Sequence, residues 1–320
     1  MDVRCRDCAG CCLDWRALAE TLAVDDEGGS SESGETSDGR RGPFPSLDGV
    51  YNLVPLERDE VSAFVDAGLG DVLTPRLWEA EEDDPNVVIG THRVAAVRGR
   101  PAFFVGLRKP PKPVAPFGRT DAAWLPTCAF LDPTTLQCRI HDDGLYPSEC
   151  DAYPAHNVAL GQETECERVE AATGEQRLRD AEGAGDATGD DGLLFGPQAI
   201  GGKVFCHPEP AEIEGAVDRI ARGATTAEDR AEFVAVAAAS SPGTLGQSRP
   251  HYERAREATL ETDSWAGEAI AEWTRLARDG RSEAAGAVEV DDHPTPHPAL
   301  AEQVEGARGA PETPGWDTTE

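Results

Sequence analysis

The stretch Cys5-Arg6-Asp7-Cys8-Ala9-Gly10-Cys11-Cys12 contains four of the nine cysteines of the chain. Thiolates are soft, negatively charged ligands, and Cys-x2-Cys spacing lets one tight turn direct two sulfur atoms at the same metal. We expect Gly10 to supply the conformational freedom that such a turn needs. Packing of a hydrophobic core does not require so many neighbouring cysteines. The stretch therefore predicts binding of a metal or a cluster.

A second group of cysteines, Cys128, Cys138 and Cys150, lies in the middle of the chain. The segments around Cys128 and Cys138 flank a proline-containing turn sequence, in which Asp132 can accept hydrogen bonds from the backbone that follows it. This pattern predicts a β-hairpin with Cys128 and Cys138 close together across its two strands. Because one metal needs about four ligands, we expect the sulfur atoms of the two groups to converge.

The kind of metal follows from the spacing of the cysteines. Cys5-x2-Cys8-x2-Cys11 matches the first three ligands of a bacterial ferredoxin run, with the fourth supplied from elsewhere in the chain. Thiolate zinc sites usually draw on two Cys-x2-Cys pairs, and the second group lacks that spacing. The spacing therefore favours an iron–sulfur cluster and leaves Zn2+ open. The side chains of Cys11 and Cys12 are expected to diverge, so they do not suit a single ion. Cys12 is then expected to bind a second metal, to bridge two metals or to take part in redox chemistry.

The order of the motifs resembles the YkgJ-like cysteine cluster family, whose domain is described as zinc- or iron-chelating. The first motif is followed by Cys128-Ala-Phe-Leu, by Cys138-Arg-Ile-His141 and by Pro147-x-x-Cys150-x-x-Tyr153-Pro154. The resemblance covers about residues 1–24 and 48–156. It departs at Ala9, where family members often have glycine, and at Tyr146, where arginine is usual. The metal ligands that the resemblance implies are Cys5, Cys8, Cys11, Cys12, Cys128, Cys138 and Cys150.

The leading functional prediction is binding of an iron–sulfur cluster or zinc through these two converging groups, with the metal supplying much of the folding free energy. One alternative is a protein lysine methylase-like enzyme, because a related cysteine arrangement occurs in flagellin lysine methylases. Another is a metal-delivery protein that passes its metal to a client. The chain has no phosphate-binding loop, dinucleotide fingerprint or nucleophile elbow, so catalytic residues are not assigned.

Three further residues carry candidate chemistry without an assigned role. Cys166 and Cys206 lie outside the matched pattern. We expect replacement of Cys166 to leave a metal site intact, whereas Cys206, which precedes His207, could either complete a site or be a buried thiol. His141 follows Cys138 closely, but a lone histidine is more often structural than a ligand.

The charge of the chain is extreme. A net charge of −31 arises from 60 acidic and 29 basic residues, and the only lysines are Lys109, Lys112 and Lys203. This excess predicts a halophilic, acidic protein that stays soluble in a very salty cytoplasm, where salt screens repulsion between carboxylates. A surface for a basic partner is the alternative, and protein partners are not assigned. Nucleic acid is excluded as a partner, because no basic patch with interleaved aromatic residues is present.

A cytoplasmic location is expected from two features. The N-terminus leads directly into the cysteines and leaves no room for an apolar signal segment. The longest apolar run, residues 233–239, is too short to span a membrane. Reduced thiols are the default in the cytoplasm, and an odd number of cysteines argues against a complete set of disulfides.

These patterns predict an α+β fold: a small cysteine-rich, metal-centred domain with β-hairpins, followed by a helical C-terminal extension. The expected domain spans residues 1–24 and 48–158, interrupted by a disordered acidic insertion at 25–47. Two apolar segments, 93–97 and 102–105, flank Gly99-Arg100-Pro101 and predict one hairpin. The helical extension is expected at 159–280, with a capping box at Thr225 and Glu228, and a disordered tail at 281–320.

Overall fold

The structure is a computed structural model that describes residues 3–22, 45–141, 143–159, 163–178, 199–286 and 298–315. Of the predicted insertion at 25–47 and the predicted tail at 281–320, all residues except 45–47, 281–286 and 298–315 lie outside the described residues. The fold combines helices and antiparallel sheets, which confirms the α+β class. No helix among the described residues is long and apolar enough to cross a membrane.

The elements occur in the following order along the chain. The helices are α1 (Arg16–Leu22), α2 (Arg58–Asp66), α3 (Ser148–Ala152), α4 (Ala155–Ala159), α5 (Glu165–Thr173), α6 (Glu214–Ala221), α7 (Ala227–Ala239), α8 (Arg249–Glu261), α9 (Trp265–Gly286) and α10 (Pro298–Val304). The strands are β1 (Leu73–Leu77), β2 (Asn86–Ile89), β3 (His92–Val97), β4 (Arg100–Leu107), β5 (Pro111–Val114), β6 (Ala123–Pro126) and β7 (Phe205–Cys206). A 3₁₀ turn spans Gly10–Cys12.

The chain divides into two compact units, each assembled from separate stretches of sequence. Unit 1 comprises Met1–Ser30, Arg108–Thr188 and Trp265–Glu320, and unit 2 comprises Ser31–Leu107 and Gly189–Ser264. The division differs from the boundaries expected from the sequence. Strands β1–β4 were assigned to the cysteine domain, whereas they belong to unit 2 together with α6, α7 and α8.

Unit 2 is built on an antiparallel sheet with the order β1-β4-β3-β2, in which β7 also pairs with β4. Strands β3 and β4 form the hairpin predicted around Gly99, which has a φ of +75°. Phe233 of α7 is fully buried and lies edge-on to Phe103 of β4, with ring centroids 4.9 Å apart. The capping box of α7 uses Thr226 and Asp229, one residue later than predicted.

Unit 1 contains the antiparallel pair β5–β6 and the long helix α9. Trp273 of α9 is fully buried and lies 6.1 Å from Trp124 of β6, measured between ring centroids. Helix α9 continues to Gly286, past residue 280 where the helical extension was expected to end. The C-terminal residues pack against this helix and strand.

Residues 298–315 contribute to the core of unit 1, so the expectation that 281–320 adds no core residue is wrong for this part. Ala301, Val304 and Glu305 of this segment are all buried. Leu47, at the end of the expected insertion, is buried as well. A prediction from composition treats every glutamate as exposed to solvent. Glu305 is buried instead, because it pairs with buried cations of unit 1.

Glu305 is the centre of a buried charge network. Its two carboxylate oxygens accept hydrogen bonds from Lys112 at 2.6 Å, Arg139 at 2.8 Å and the indole of Trp273 at 2.8 Å. Lys112 also donates to the backbone oxygens of Ala129 and Leu131 at 2.8 and 2.7 Å. The network therefore fixes the backbone that follows Cys128, one of the predicted ligands.

The same C-terminal segment holds both sequence neighbours of Cys138. The backbone nitrogen of Gly315 donates to the side-chain oxygen of Gln137 at 3.0 Å. Arg139 donates to the backbone oxygen of Pro311 at 2.7 Å and forms an ion pair with Asp132 at 2.7 Å. The position of Cys138 thus depends on residues that the sequence assigned to a disordered tail.

We predict that Glu305→Ala lowers the free energy of unfolding by about 3–5 kcal/mol, because it leaves two buried cations without their counterion. Denaturant unfolding measures the change. Glu268→Ala is the matched control, since Glu268 pairs with Arg308 at the surface and such pairs contribute about 1 kcal/mol or less. Equal losses for the two variants would contradict a structural role for the network.

Candidate metal centre

A short antiparallel backbone contact joins the two cysteine groups. The backbone nitrogen of Asp14 donates to the oxygen of Pro126 at 2.8 Å, and that of Cys128 donates to the oxygen of Cys12 at 2.9 Å. Between them, Leu13 and Thr127 form an isolated β-bridge, and both residues are fully buried. Cys12 and Cys128, far apart in the sequence, are therefore adjacent in unit 1.

The N-terminal cysteines lie on a loop of tight turns. The nitrogen of Cys8 donates to the oxygen of Cys5 at 3.1 Å. Asp7 and Ala9 have φ values of +57° and +53°, whereas Gly10 lies in the 3₁₀ turn without a positive φ. The expectation that Gly10 supplies backbone freedom is wrong. That role falls on Ala9, at the position where the resembling family often has glycine.

Gly10 is instead required by close packing. A Cβ atom on Gly10 would lie 2.8 Å from Cγ2 of Val169 in helix α5, a distance that real Cβ contacts do not reach. It would also contact Glu165 at 3.7 Å. The absence of a side chain at Gly10 therefore lets α5 approach the cysteine loop.

The turn predicted between Cys128 and Cys138 is present, but the two strands are not. Asp132 accepts hydrogen bonds from the backbone nitrogen and the hydroxyl of Thr134, at 2.8 and 2.6 Å, as expected for this turn sequence. Leu131 and Cys138 form only an isolated bridge. The nitrogen of Leu131 bonds back to the oxygen of Cys128, and Leu136 has a left-handed φ of +55°, so extended pairing stops on both sides.

The adjacent thiols of Cys11 and Cys12 approach each other rather than diverge, which corrects the sequence expectation. Their Sγ atoms are 3.9 Å apart. The hydrogen bond between the two sulfurs lowers the pKa of Cys11 and, together with burial, raises that of Cys12 well above its usual range. Two sulfurs on one tetrahedral zinc, each about 2.3 Å from the metal, would lie about 3.8 Å apart. The observed separation fits that requirement.

The second group shares this neighbourhood. Burial raises the pKa of Cys138 to about 12 and that of Cys150 further, and nearby Cys128 and Cys11 raise both values as well. The pKa of Cys12 is raised first by Cys11 and by burial, and then by Cys128 and Cys150. The five thiols therefore affect one another's ionisation, because charge interactions weaken with distance.

A second neighbourhood surrounds the start of the N-terminal loop. Burial raises the pKa of Cys8 to about 11. The thiol of Cys5 is also desolvated, which raises its pKa although the residue as a whole is exposed. Burial raises the pKa of Cys166 in α5, and Cys11, Cys8 and Cys5 raise it further, in that order. Cys166 lies in helix α5, which packs on the cysteine loop at Gly10, although the sequence pattern excluded this residue.

The two remaining candidates have other surroundings. The ring of His141 lies 4.8 Å from that of Tyr146. Cys206 belongs to β7 in unit 2, where burial raises its pKa to about 11 and Arg100 lowers it. Neither residue is needed to complete the thiol groups of unit 1.

The donor set fits a thiophilic metal. In the part of the chain that the structure describes, no three Cys, His, Asp or Glu side chains are already close enough to hold a metal ion. A metal bound here would have to draw sulfur atoms together. Thiolates suit zinc and iron, and a bound cation would favour the thiolate form of nearby cysteines.

The fold is α+β, and eight of the cysteines belong to unit 1, where a backbone contact joins the segments of Cys12 and Cys128. A family model, described as a family of unknown function (DUF7531), matches residues 1–317, so the chain belongs to the DUF7531 family. No curated protein and no solved structure matches the chain.

We predict that substitutions at two neighbouring residues of the loop have opposite effects. Ala9→Gly raises the free energy of unfolding by about 1 kcal/mol or less, because glycine relieves the left-handed backbone. Gly10→Ala lowers it by about 1–3 kcal/mol through overpacking against Val169. Denaturant unfolding measures both changes.

Val169→Ala tests the origin of the Gly10 effect. In the Gly10→Ala background it removes the clashing methyl group, so the double variant is more stable than the sum of the single effects. Strict additivity would show that Gly10 does not act through helix α5.

Proposed function

We propose that this protein binds a metal, as zinc or an iron–sulfur cluster, through the cysteines of unit 1. The observation that carries the proposal is the backbone contact between Cys12 and Cys128, which joins two cysteine groups that are distant in the sequence. The ligands that we propose are Cys5, Cys8, Cys11, Cys12, Cys128, Cys138 and Cys150. The resemblance to the YkgJ-like cysteine cluster family supports the same assignment.

The energetics of the cluster favour a bound cation. Without metal, burial raises the pKa of Cys138 and Cys150 and neighbouring thiols raise it further, although the contact with Cys12 lowers that of Cys11. A metal that binds only the folded state contributes its binding free energy to folding, on the order of 10 kcal/mol for thiolate zinc sites. That contribution offsets the entropy of closing the long loop between the two cysteine groups.

The distribution of basic residues supports an anionic centre. Four thiolates around one divalent cation carry a net negative charge, which needs nearby positive charge when it is buried. Lysine is rare in this chain, yet Lys109 and Lys112 both lie close enough to lower the pKa of Cys128 below the value that burial alone would give. Lys109 also lowers that of Cys11.

The identity of the metal separates two versions of the proposal. The spacing Cys5-x2-Cys8-x2-Cys11 favours an iron–sulfur cluster, whereas the separation between the sulfurs of Cys11 and Cys12 also suits zinc. Visible absorption distinguishes them, because sulfur-to-iron charge transfer is coloured and a zinc site is colourless. Anaerobic purification preserves an oxygen-sensitive cluster during the measurement.

The role of the metal has three testable forms. A structural metal holds the fold together and resists a chelator. A delivery protein releases its metal to a competing chelator while it stays folded. A methylase-like enzyme binds S-adenosylmethionine, which calorimetry detects. We propose the structural role, because the ligands join segments that are distant in the sequence and meet at the backbone contact between Cys12 and Cys128.

We predict that Cys138→Ser loses bound metal and unfolds at a lower temperature than the parent. Elemental analysis and thermal unfolding after anaerobic purification measure the two effects. Both are carried out in high salt, because the net charge of −31 makes repulsion severe at low ionic strength. Cys206→Ser is the matched control, since it removes a buried thiol of unit 2 and keeps the metal.

The proposal fails if the anaerobically purified parent binds neither iron nor added zinc. A Cys138→Ser variant that loses its metal but keeps the parental unfolding temperature would leave metal binding intact and exclude the structural role.

A further inference from the structure

Arg177 is held between helix α5 and the N-terminal cysteine loop. Its backbone nitrogen and that of Leu178 donate to the carboxylate of Glu170 in α5. Towards the loop, the nitrogen of Arg4 donates to the oxygen of Arg177 at 2.8 Å, and Val3 forms an isolated bridge with Leu178. These contacts fix the backbone from which the side chain of Arg177 extends.

The guanidinium of Arg177 is buried, and its hydrogen bonds are incomplete. Only 2% of the side chain is exposed. One terminal nitrogen, Nη1, donates to the backbone oxygen of Arg6 at 3.2 Å, and the other, Nη2, donates to the half-exposed carboxylate of Glu175 at 2.6 Å. The Nε atom is also buried, and it has no acceptor among the described residues. A buried donor without an acceptor is costly and rare in folded proteins, so this atom points to a ligand.

The turn that carries Cys5 and Cys8 lies next to this donor. The nitrogen of Cys8 donates to the oxygen of Cys5 at 3.1 Å and closes the turn, and Arg6, which Arg177 contacts, lies within it. Burial raises the pKa of Cys5 and of Cys8, and the positive charge of Arg177 lowers both values, as expected for a cation beside this turn. A protonated thiol is a weak acceptor, but a metal-bound thiolate is anionic and accepts more strongly.

We propose that Arg177 is a positioning residue for the metal centre, whose guanidinium donates a hydrogen bond from Nε to a metal-bound thiolate of the Cys5–Cys8 turn. The inference rests on the proposed metal binding and adds a residue that lies outside the cysteine pattern. The permanent positive charge of Arg177 balances part of the negative charge that thiolates bring to a buried centre. Hydrogen bonds to metal ligands fix the orientation of the ligands and strengthen metal binding.

The first test is the zinc affinity of the full chain, which is purified without metal, reduced and titrated with Zn2+ in competition with a chelator. Arg177→Met removes the charge and the donors but keeps a long, unbranched side chain. We expect this variant to bind zinc about 10–100-fold more weakly than the parent, which is the usual effect of removing a hydrogen bond to a metal ligand. The number of zinc ions bound stays the same, because every cysteine is retained.

Titration with Co2+ supplies a readout that a purely structural role does not change. Thiolate coordination of Co2+ gives sulfur-to-metal charge-transfer bands, and a hydrogen bond withdraws electron density from the sulfur. Arg177→Met is therefore expected to shift these bands to lower energy. A residue that only stabilised the loop would change the amount of cobalt bound and leave the positions of the bands unchanged.

Glu175→Gln is the matched control, because it removes the counterion at the other end of the same guanidinium and keeps Arg177. Its zinc affinity stays within about fivefold of the parent, since a half-exposed ion pair contributes little, and its cobalt bands do not move. Arg177→Lys is the second variant, in case Arg177→Met does not fold. It keeps the buried charge but loses the Nε donor, so the cobalt bands shift in the same direction while the zinc affinity falls less.

The outcomes separate the inference from the function on which it rests. A parent that binds neither zinc nor cobalt defeats both. Parental cobalt bands in Arg177→Met, or in Arg177→Lys where only that variant folds, overturn the role of Arg177 and leave metal binding in place. An equal loss of zinc affinity in Glu175→Gln also overturns that role, because the effect would then come from the ion pair between residues 175 and 177.

Discussion

The hydrogen bond from the backbone nitrogen of Cys128 to the oxygen of Cys12 is the contact on which the cysteine cluster depends. It forms beside the buried bridge between Leu13 and Thr127, where water cannot compete for the same groups. A single backbone hydrogen bond contributes only about 1 kcal/mol to stability. The contact therefore needs support from both cysteine segments, and two different devices supply it.

The first is a buried charge network, and the second is close packing of helix α5 against the N-terminal loop. Glu305 neutralises Lys112 and Arg139 and so fixes the backbone around Cys128 and Cys138. Burial of these charges is costly, so the network specifies one arrangement more than it adds net stability. On the other side, Gly10 lets helix α5 pack against the N-terminal loop. Both devices place sulfur atoms near each other without a metal, which reduces the rearrangement that binding requires.

Local patterns in the sequence predicted what depends on local chemistry. The hairpin around Gly99 and the turn at Asp132 follow from residues that prefer those backbone angles, and both are present. The convergence of the cysteine groups followed from the number of ligands that one metal needs. The same reasoning misassigned Gly10 and Ala9, because cysteine spacing does not reveal which residue of a turn has the positive φ.

The features that the sequence did not predict depend on tertiary partners. Cys166 was excluded because no spacing links it to the motif, and only the packing of α5 on the loop brings it there. The capping box of Thr164 and Glu167 could have located the helix, but not its neighbour. Glu305 lies in a region rich in alanine, glycine and proline, and its burial depends on cations that are remote in sequence.

X-ray absorption at the metal edge of zinc-loaded protein tests the central claim most directly. The account predicts a coordination shell of sulfur atoms at about 2.3 Å, since the proposed ligands are cysteine thiolates. A shell of nitrogen or oxygen atoms at about 2.0–2.2 Å would contradict it, because the metal would then be held by groups other than the cysteines that the fold brings together.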